Sequence, residues 1–383
     1  MDFDFQWLLL ALPVAFALGW LASRLDLRQW KREQRESPKA YFKGLNLLLN
    51  EQQDKAIDAF IEAVQQDPDT SDLHFALGNL FRRRGEYERA VRVHQHLLNR
   101  ADLTLTERDR AQHGLAQDFM KAGLFDRAEQ AWRALEGTGF DTEARLALLT
   151  LHERSRDWRA AIEDAQKLER SSGTGSYATR IAHYWCELAL QAQAAQQTEE
   201  AARALQAARD AAPQSARPRV ILGQALAARQ QHREAMDVFG ELITLHPESF
   251  NLIVDDYVTN AIACGESARA RESLLALYQR VPSLALLAAL GRVEPDTQAQ
   301  RERLLTHLRS QPSLSAASQL LAQPGGTLAD PAGALVASAI DRAGEPLRRY
   351  RCAACGFEAQ RYFWQCPGCL NWDSYPPVRL EDL

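Results

Sequence analysis

Three hydrophobic patterns follow one another along the chain. Phe5–Ser23 runs nineteen positions without a charge. As a helix it would span about 28 Å, close to the ~30 Å hydrocarbon core of a bilayer. Beyond residue 37 the apolar positions recur at helical spacing in units of 34 residues. Gly44 and Gly78 are 34 apart, as are Ala56 and Ala90, Ala201 and Ala235, and Pro213 and Pro247. Each unit predicts a helix with a small residue at its eighth position, a turn, and a second helix with Ala at the unit's twentieth position. A large apolar residue follows four later, and a proline often closes the unit. In the last stretch, from Tyr350, this periodicity gives way to cysteines and closely spaced aromatics.

The first pattern predicts a membrane anchor. Trp7 and Trp20 stand near its ends, where amphipathic rings favour the interface, and Pro13 falls mid-span, where membrane helices tolerate it. Two other readings compete. A secretory signal wants a basic n-region, but Asp2 and Asp4 precede the run; a buried globular helix would show a polar face, and this run has almost none. Arg24, Arg28, Lys31, Arg32, Arg35, Lys39 and Lys43 follow it. The positive-inside rule then puts the rest of the chain in the cytoplasm, with the basic stretch against anionic lipid.

The 34-residue pattern resembles the tetratricopeptide repeat. The clearest units carry Gly44, Ala56, Phe60 and Ala63; then Gly78, Phe81, Gly85 and Ala90; then Ala116, Phe119, Gly123, Ala128 and Trp132, after a four-residue insertion around Leu103 to Glu107. A weaker fourth has Leu148, Trp158, Ala161 and Leu168. The later ones include Ala189, Ala201 and Leu205; Gly223, Ala235 and Phe239; and Gly265, Ala270 and Leu274. No pair of helices buries its own apolar face, so such units must stack, and the expected fold class is an all-α tetratricopeptide-repeat superhelix. By repeat position Phe75, Asn79, Arg83, His113, Gln117 and Lys121 should face the inner wall, a mixed aromatic, amide and basic surface suited to a partner's acidic or amphipathic peptide. After Pro282 the pattern fades, although 284–322 still looks helical and would hold one or two degenerate closing repeats. A last short helix is expected near Leu335 to Ile340.

Charge and cysteine usage narrow the chemistry. With 45 Lys+Arg against 50 Asp+Glu and 46% hydrophobic residues, the chain is neither a disordered tail nor a polycationic nucleic-acid arm. Four of six cysteines lie within 18 residues, as Cys352-x-x-Cys355 and Cys366-x-x-Cys369 separated by ten. Two such knuckles supply four thiolates able to converge on one metal ion, zinc or iron, in a segment too small to fold without a staple. Gly356 and Pro367-Gly368 suit the tight turns that aim N–H groups at sulfur, whereas Leu370 stands where the second knuckle of rubredoxin-like ribbons usually has glycine. Residues 345–383 hold five arginines and five acids, which argues against a nucleic-acid-binding ribbon. The aromatics there should mostly form the ribbon's core, with one or two free to dock it. Cys186 and Cys264 are expected as small packing residues in repeat helices. No phosphate-cradling loop, G-x-S-x-G elbow or H-E-x-x-H is present, so the chain reads as a non-enzyme.

The expected organisation is an anchor at 1–24, a basic linker at 25–36, a repeat solenoid at 37–322, a linker with a short helix at 323–346 and a rubredoxin-like ribbon at 347–383. That order, ending in YRCxxCGF…WxCPxCxxW, resembles the lipopolysaccharide assembly protein B family of Gram-negative bacteria over essentially the whole chain. The resemblance implies a single-pass protein of the bacterial inner membrane that regulates lipopolysaccharide synthesis. It would act with the membrane-bound AAA+ zinc protease to promote degradation of the deacetylase that commits precursors to lipid A. An inner-membrane lipopolysaccharide sensor protein would antagonise it. The resemblance also favours iron at Cys352, Cys355, Cys366 and Cys369, in a ribbon packed structurally against the repeats. Two alternatives stay open: a scaffold for the biosynthetic enzymes, and a rubredoxin-like electron-transfer module.

Overall fold

Small residues at the eighth position of a repeat let its two helices close on an aromatic ring. A Cβ on Gly223 would lie 2.3 Å from Phe239 Cε1, and one on Gly44 2.7 Å from Phe60 Cε2, each ring belonging to the residue 16 positions later. Phe60 and Phe239 are 1% and 0% exposed. One helix thus presents bare backbone and the other fills the gap, which is close packing achieved by pairing a large residue with an absent one.

The computed structural model describes residues 15–20, 42–67, 69–172, 176–294, 296–323 and 331–383. The expected membrane span falls on Phe5–Ser23, of which only 15–20 lies among the described residues, as helix; the basic linker 25–36 lies outside them. Among the described residues no helix is long and apolar enough to cross a membrane. Up to Arg348 their regular structure is helical, and the two strands come only in the ribbon.

The chain divides into two compact units. The first runs to Asp157 and takes in 170–173; the second comprises Trp158–Glu169 and everything from 174 onward. The division falls inside the fourth repeat, the weakest by sequence.

In the first unit, helical residues at 15–20 and 42–49 are followed by helices Gln53–Gln66, Ser71–Arg84, Tyr87–Leu98, Leu105–Ala122, Phe125–Arg133 and Asp141–Ser155. Gly85 and Gly123 end their helices at φ 85° and 75°, the left-handed conformation that glycine enters without steric cost. The inserted residues lead into a capping box, in which the Glu107 N–H donates to Thr104 Oγ1 and the Thr104 N–H to Glu107 Oε2.

The second repeat replaces the aromatic plug by a polar one. His94 occupies the position held by Phe60 and Phe239 in their repeats, wedged between Gly78 and Gly114. Its Nδ1 lies 2.6 Å from Asp118 Oδ2, and Arg82 Nη1 donates to Asp118 Oδ1 at 2.8 Å. Asp118 is fully buried, and a buried carboxylate survives only when paired in this way.

In the second unit, helices from Ala178–Ala194 through Ser267–Arg280 continue the repeat pattern. Phe239, Phe250, Tyr257, Leu274 and Leu290 share one of its cores. The fading segment forms three helices, Leu284–Val293, Thr297–Ser310 and Leu314–Ala322, and Pro331–Gly344 is the last. Cys186 is buried within its helix as expected, whereas Cys264 sits at the end of Val254–Ala263, half-buried against the core.

Candidate metal centre

The ribbon begins with a two-residue hairpin, β1 (Tyr350–Arg351) against antiparallel β2 (Glu358–Ala359), with Tyr350 opposite Ala359. A second crossing pairs Gln365 with Trp372. Each crossing closes over a knuckle, and the two knuckles repeat one hydrogen-bond scheme. The Cys352 N–H donates to Phe357 O and the Cys366 N–H to Asn371 O, both at 2.9 Å. Gly356 N–H returns to Cys352 O as Leu370 N–H does to Cys366 O, again at 2.9 Å.

That folding aims backbone N–H groups at the sulfurs. Ala354 and Cys355 donate to Cys352, and Gly368 and Cys369 to Cys366. Phe357 donates to Cys355, and Asn371 to Cys369. All four Sγ atoms lie within 4.8 Å of one another. Cys352 and Cys369 Sγ are 3.8 Å apart, and Cys355 and Cys366 Sγ 3.6 Å. A disulfide would need about 2.05 Å. A tetrahedron of sulfurs around an ion at about 2.3 Å has edges of about 3.8 Å. The residues therefore fit a four-thiolate metal site, and its ion would join both knuckles while offsetting part of their negative charge.

The thiols are tuned for that task. Burial alone would raise Cys352, but its hydrogen bonds with the Ser374 hydroxyl and the Cys355 and Ala354 N–H groups outweigh it, bringing the thiol down to about 6. Cys366 is lowered too: burial opposes, and the Cys369 and Gly368 N–H groups prevail. At Cys355 the Phe357 N–H favours the thiolate, yet desolvation and the neighbouring cysteine sulfurs push it up to about 12. The hydrogen bonds thus favour the thiolate form at Cys352 and Cys366, and a metal ion would displace the protons that remain on the set.

Leu370 marks where the knuckles differ. It takes φ 61° where its counterpart Gly356 takes 76°. A branched residue in this conformation costs roughly 1 kcal/mol or more relative to glycine, and at 43% exposure Leu370 gains little burial in return.

The ribbon is seated on the helices of its own unit. The Trp372 ring stacks on His183 at 4.7 Å, and edge-on contacts join it to Trp158 and Tyr184. His183 Nε2 is 2.7 Å from Asp373 Oδ2. The Arg217 guanidinium, bound to Glu187, lies 5.4 Å from the Trp372 ring centre and 5.9 Å from that of Trp364. Of the ribbon's aromatics, Tyr350, Tyr362, Phe363 and Tyr375 pack with the buried cysteines, and Trp364 and Trp372 do the docking. Ser374, adjacent to the docked pair, has its Oγ 3.3 Å from Cys352 Sγ. Seat and metal site are one residue apart.

The tail after the ribbon is tied down as well. Glu381 Oε1 accepts from the Ser313 hydroxyl at 2.9 Å and from the Ser315 N–H at 2.8 Å, at the start of Leu314–Ala322. Asp382 Oδ1 accepts from the Leu284 N–H at 2.9 Å, at the start of Leu284–Val293. Two carboxylates thus meet two helix N-termini, where free N–H groups and the helix dipole favour an anion. Burial would raise the Glu381 carboxyl, but its bonds to Ser315 and Ser313 hold it below the ordinary glutamate range; burial raises Asp382. A lowered pKa means that Glu381 stabilises above its unfolded pKa of about 4.3 and loses that contribution as pH falls through its folded value. Glu381→Gln is expected to weaken tail docking by about 1–2 kcal/mol at pH 7. The gap between variant and parent in thermal unfolding should close as the pH drops below about 4.

The groove residues expected from repeat position divide. Phe75 does not line an open wall: it is 2% exposed, packed on Leu97 and Ala111 with the Arg110 guanidinium 4.2 Å above its ring. His113 is half-buried, stacked on Phe140 and 2.8 Å from Glu143. Gln117 Nε2 is 3.1 Å from His113 Nε2. Asn79 is half-buried and accepts from Arg82. Arg83 and Lys121 are exposed. Sequence reasoning did not find His183, Arg217, Asp373, Glu381 or the Asp118 triad. Only His94 left a signal, a histidine where other repeats place phenylalanine.

Fold and thiolate set define a tetratricopeptide-repeat protein bearing a rubredoxin-type metal ribbon. Residues 43–95 and 186–250 match the tetratricopeptide repeat family, and 350–376 the rubredoxin metal-binding domain. The chain is 32% identical over 389 residues to lipopolysaccharide assembly protein B of Escherichia coli K12, covering 98% of both chains. It is 27% identical over 405 residues to the protein of that name from Haemophilus influenzae, again covering 98% of both. It belongs to the lipopolysaccharide assembly protein B family. Among solved structures, a tetratricopeptide repeat protein from Parabacteroides merdae covers 80% of this chain and 99% of its own at 14% identity and a TM-score of 0.33.

Proposed function

We propose that the protein is a membrane-tethered, non-enzymatic adaptor of lipopolysaccharide synthesis. In this reading Phe5–Ser23 anchors it in the inner membrane, the basic residues from Arg24 to Lys43 keep its bulk on the cytoplasmic side, and the repeats hold the deacetylase that commits precursors to lipid A. The membrane-bound AAA+ protease then degrades that client, and an inner-membrane lipopolysaccharide sensor restrains the process. Iron is the proposed ion of the ribbon, with a structural role.

One observation carries the reading above the others. The likeness to lipopolysaccharide assembly protein B runs over 98% of both chains, taking in apolar run, repeats and ribbon alike. The physical logic is effective concentration: anchoring adaptor and protease in one plane makes delivery of a bound client nearly intramolecular. A chain lacking residues 1–24 should fold and bind client, yet the deacetylase half-life in cells should lengthen several-fold. An unchanged half-life with the truncated protein would overturn the proposal.

A further inference from the structure

A stack of repeats begins with a helix whose outer face has no neighbouring repeat, and such faces are ordinarily polar. The helix at 42–49 breaks that rule. Gly44 lies against the Phe60 ring and Leu48 packs on the core of the first repeats, which fixes the inward face of this helix. Opposite them, at i, i+3 and i+7, stand Phe42, Leu45 and Leu49, exposed by 62%, 39% and 76%. That spacing puts all three in one outward stripe. A single exposed leucine needs no explanation, but three large apolar side chains in register do.

Charge and chain length indicate what covers the stripe. From Arg24 to Asn50 the chain holds seven cations against three acids. Within 42–49 the one charge is Lys43, which borders the stripe with its ammonium 3.8 Å from Glu62, an exposed pair that costs little to break. The next acids, Glu51 and Asp54, come beyond the end of the helix. Apolar side chains amid an excess of positive charge suit a bilayer with anionic headgroups. They do not suit a second copy, whose own stripe would bring the same cations against them.

Eighteen residues separate Ser23, where the uncharged run ends, from Phe42. Even fully extended they reach only about 60–65 Å. An anchor in that run would hold the stripe within reach of lipid and make its insertion nearly intramolecular. One eight-residue helix is a weak membrane ligand by itself, but a tethered one needs only to bury its three side chains.

We propose that helix 42–49 is an interfacial element of the protein. Phe42, Leu45 and Leu49 enter the boundary between headgroups and acyl chains of an anionic bilayer, and Lys43 meets the headgroups. The first repeat then sits on the membrane instead of hanging from it by a linker, and the first unit starts at a fixed depth. This rests on the membrane anchor of the proposed function and adds a second, folded contact with lipid.

The test uses the full chain in nanodiscs of phosphatidylethanolamine and phosphatidylglycerol, with a photoreactive side chain introduced as Leu45→p-benzoylphenylalanine or Leu49→p-benzoylphenylalanine. Irradiation should give phospholipid adducts, seen by mass, at both positions. The same residue at Asp58, exposed on the following helix, should give at least about tenfold fewer. In discs of phosphatidylcholine alone the yield at Leu49 should fall several-fold. Lipid capture no more frequent at Leu49 than at Asp58, or cross-linked dimers in its place, overturns the proposal. An undiminished yield in phosphatidylcholine overturns the part played by charge. Leu9→p-benzoylphenylalanine, inside the uncharged run, tests the anchor by itself. Capture at Leu9 without capture at Leu49 leaves the anchor and removes the interfacial helix, whereas no capture at Leu9 removes the anchor and the proposal with it.

Discussion

Stripping the metal from the intact protein, or replacing Cys366 by serine, is expected to unfold the ribbon and release Trp364 and Trp372 from their seat. A structural four-ligand ion contributes on the order of 10–16 kcal/mol to small zinc domains near neutral pH, and the ribbon's own core of Tyr350, Tyr362, Phe363 and Tyr375 is too small to replace it. Tryptophan emission should shift to the red as the indoles leave His183 and Arg217, and protease should cut between Cys352 and Cys369. Helical circular dichroism should fall little, because the helices have their own cores. Re-addition of metal should reverse both changes for the parent and neither for Cys366→Ser. Unaltered emission and protease resistance after complete metal removal would show that the seat, rather than the ion, holds the ribbon together.

The second large effect concerns the ring that fills a glycine gap. Phe239→Ala should destabilise the second unit by about 3–5 kcal/mol, the range for truncating a buried aromatic. Gly223→Ala should also destabilise, by about 1–3 kcal/mol or more, because its methyl group would sit 2.3 Å from that ring. The informative variant combines Gly223→Ala with Phe239→Leu, in which a smaller side chain makes room for the methyl. Its loss in urea unfolding should be clearly less than the sum of the single losses. Strict additivity would mean that the two residues do not share one packing site.

These expectations also show what a sequence can carry. Gly223 and Phe239 are legible because a repeat states the same packing rule several times. The four cysteines are legible because residue type and spacing nearly dictate their chemistry. Phe75 was placed wrongly for a physical reason: the insertion before Leu105 lengthens the following helix at its start, so that Leu103 and Arg110 cover a ring which strict periodicity leaves facing out. His183 and Asp373 were out of reach because they lie 190 residues apart, and a histidine on a repeat helix looks like any other core residue until the ribbon arrives. The tail acids were equally silent, since Glu381 and Asp382 at a chain end read as solvated charge.

That tail has a consequence for how the protein is made. Glu381 and Asp382 are synthesised well after Leu314 and Leu284, yet they complete the helices begun there, while the ribbon just before them completes a surface around His183. The second unit therefore cannot finish packing until residue 382 has been made. Until Trp372 has been made the indole seat stays bare, and until Asp382 follows the two helix ends lack their anions. A chain truncated before Glu381 would keep the two helix ends uncapped, and one truncated before Trp364 would keep the seat bare as well. The second unit thus registers in its own packing whether residues 364–382 have been added.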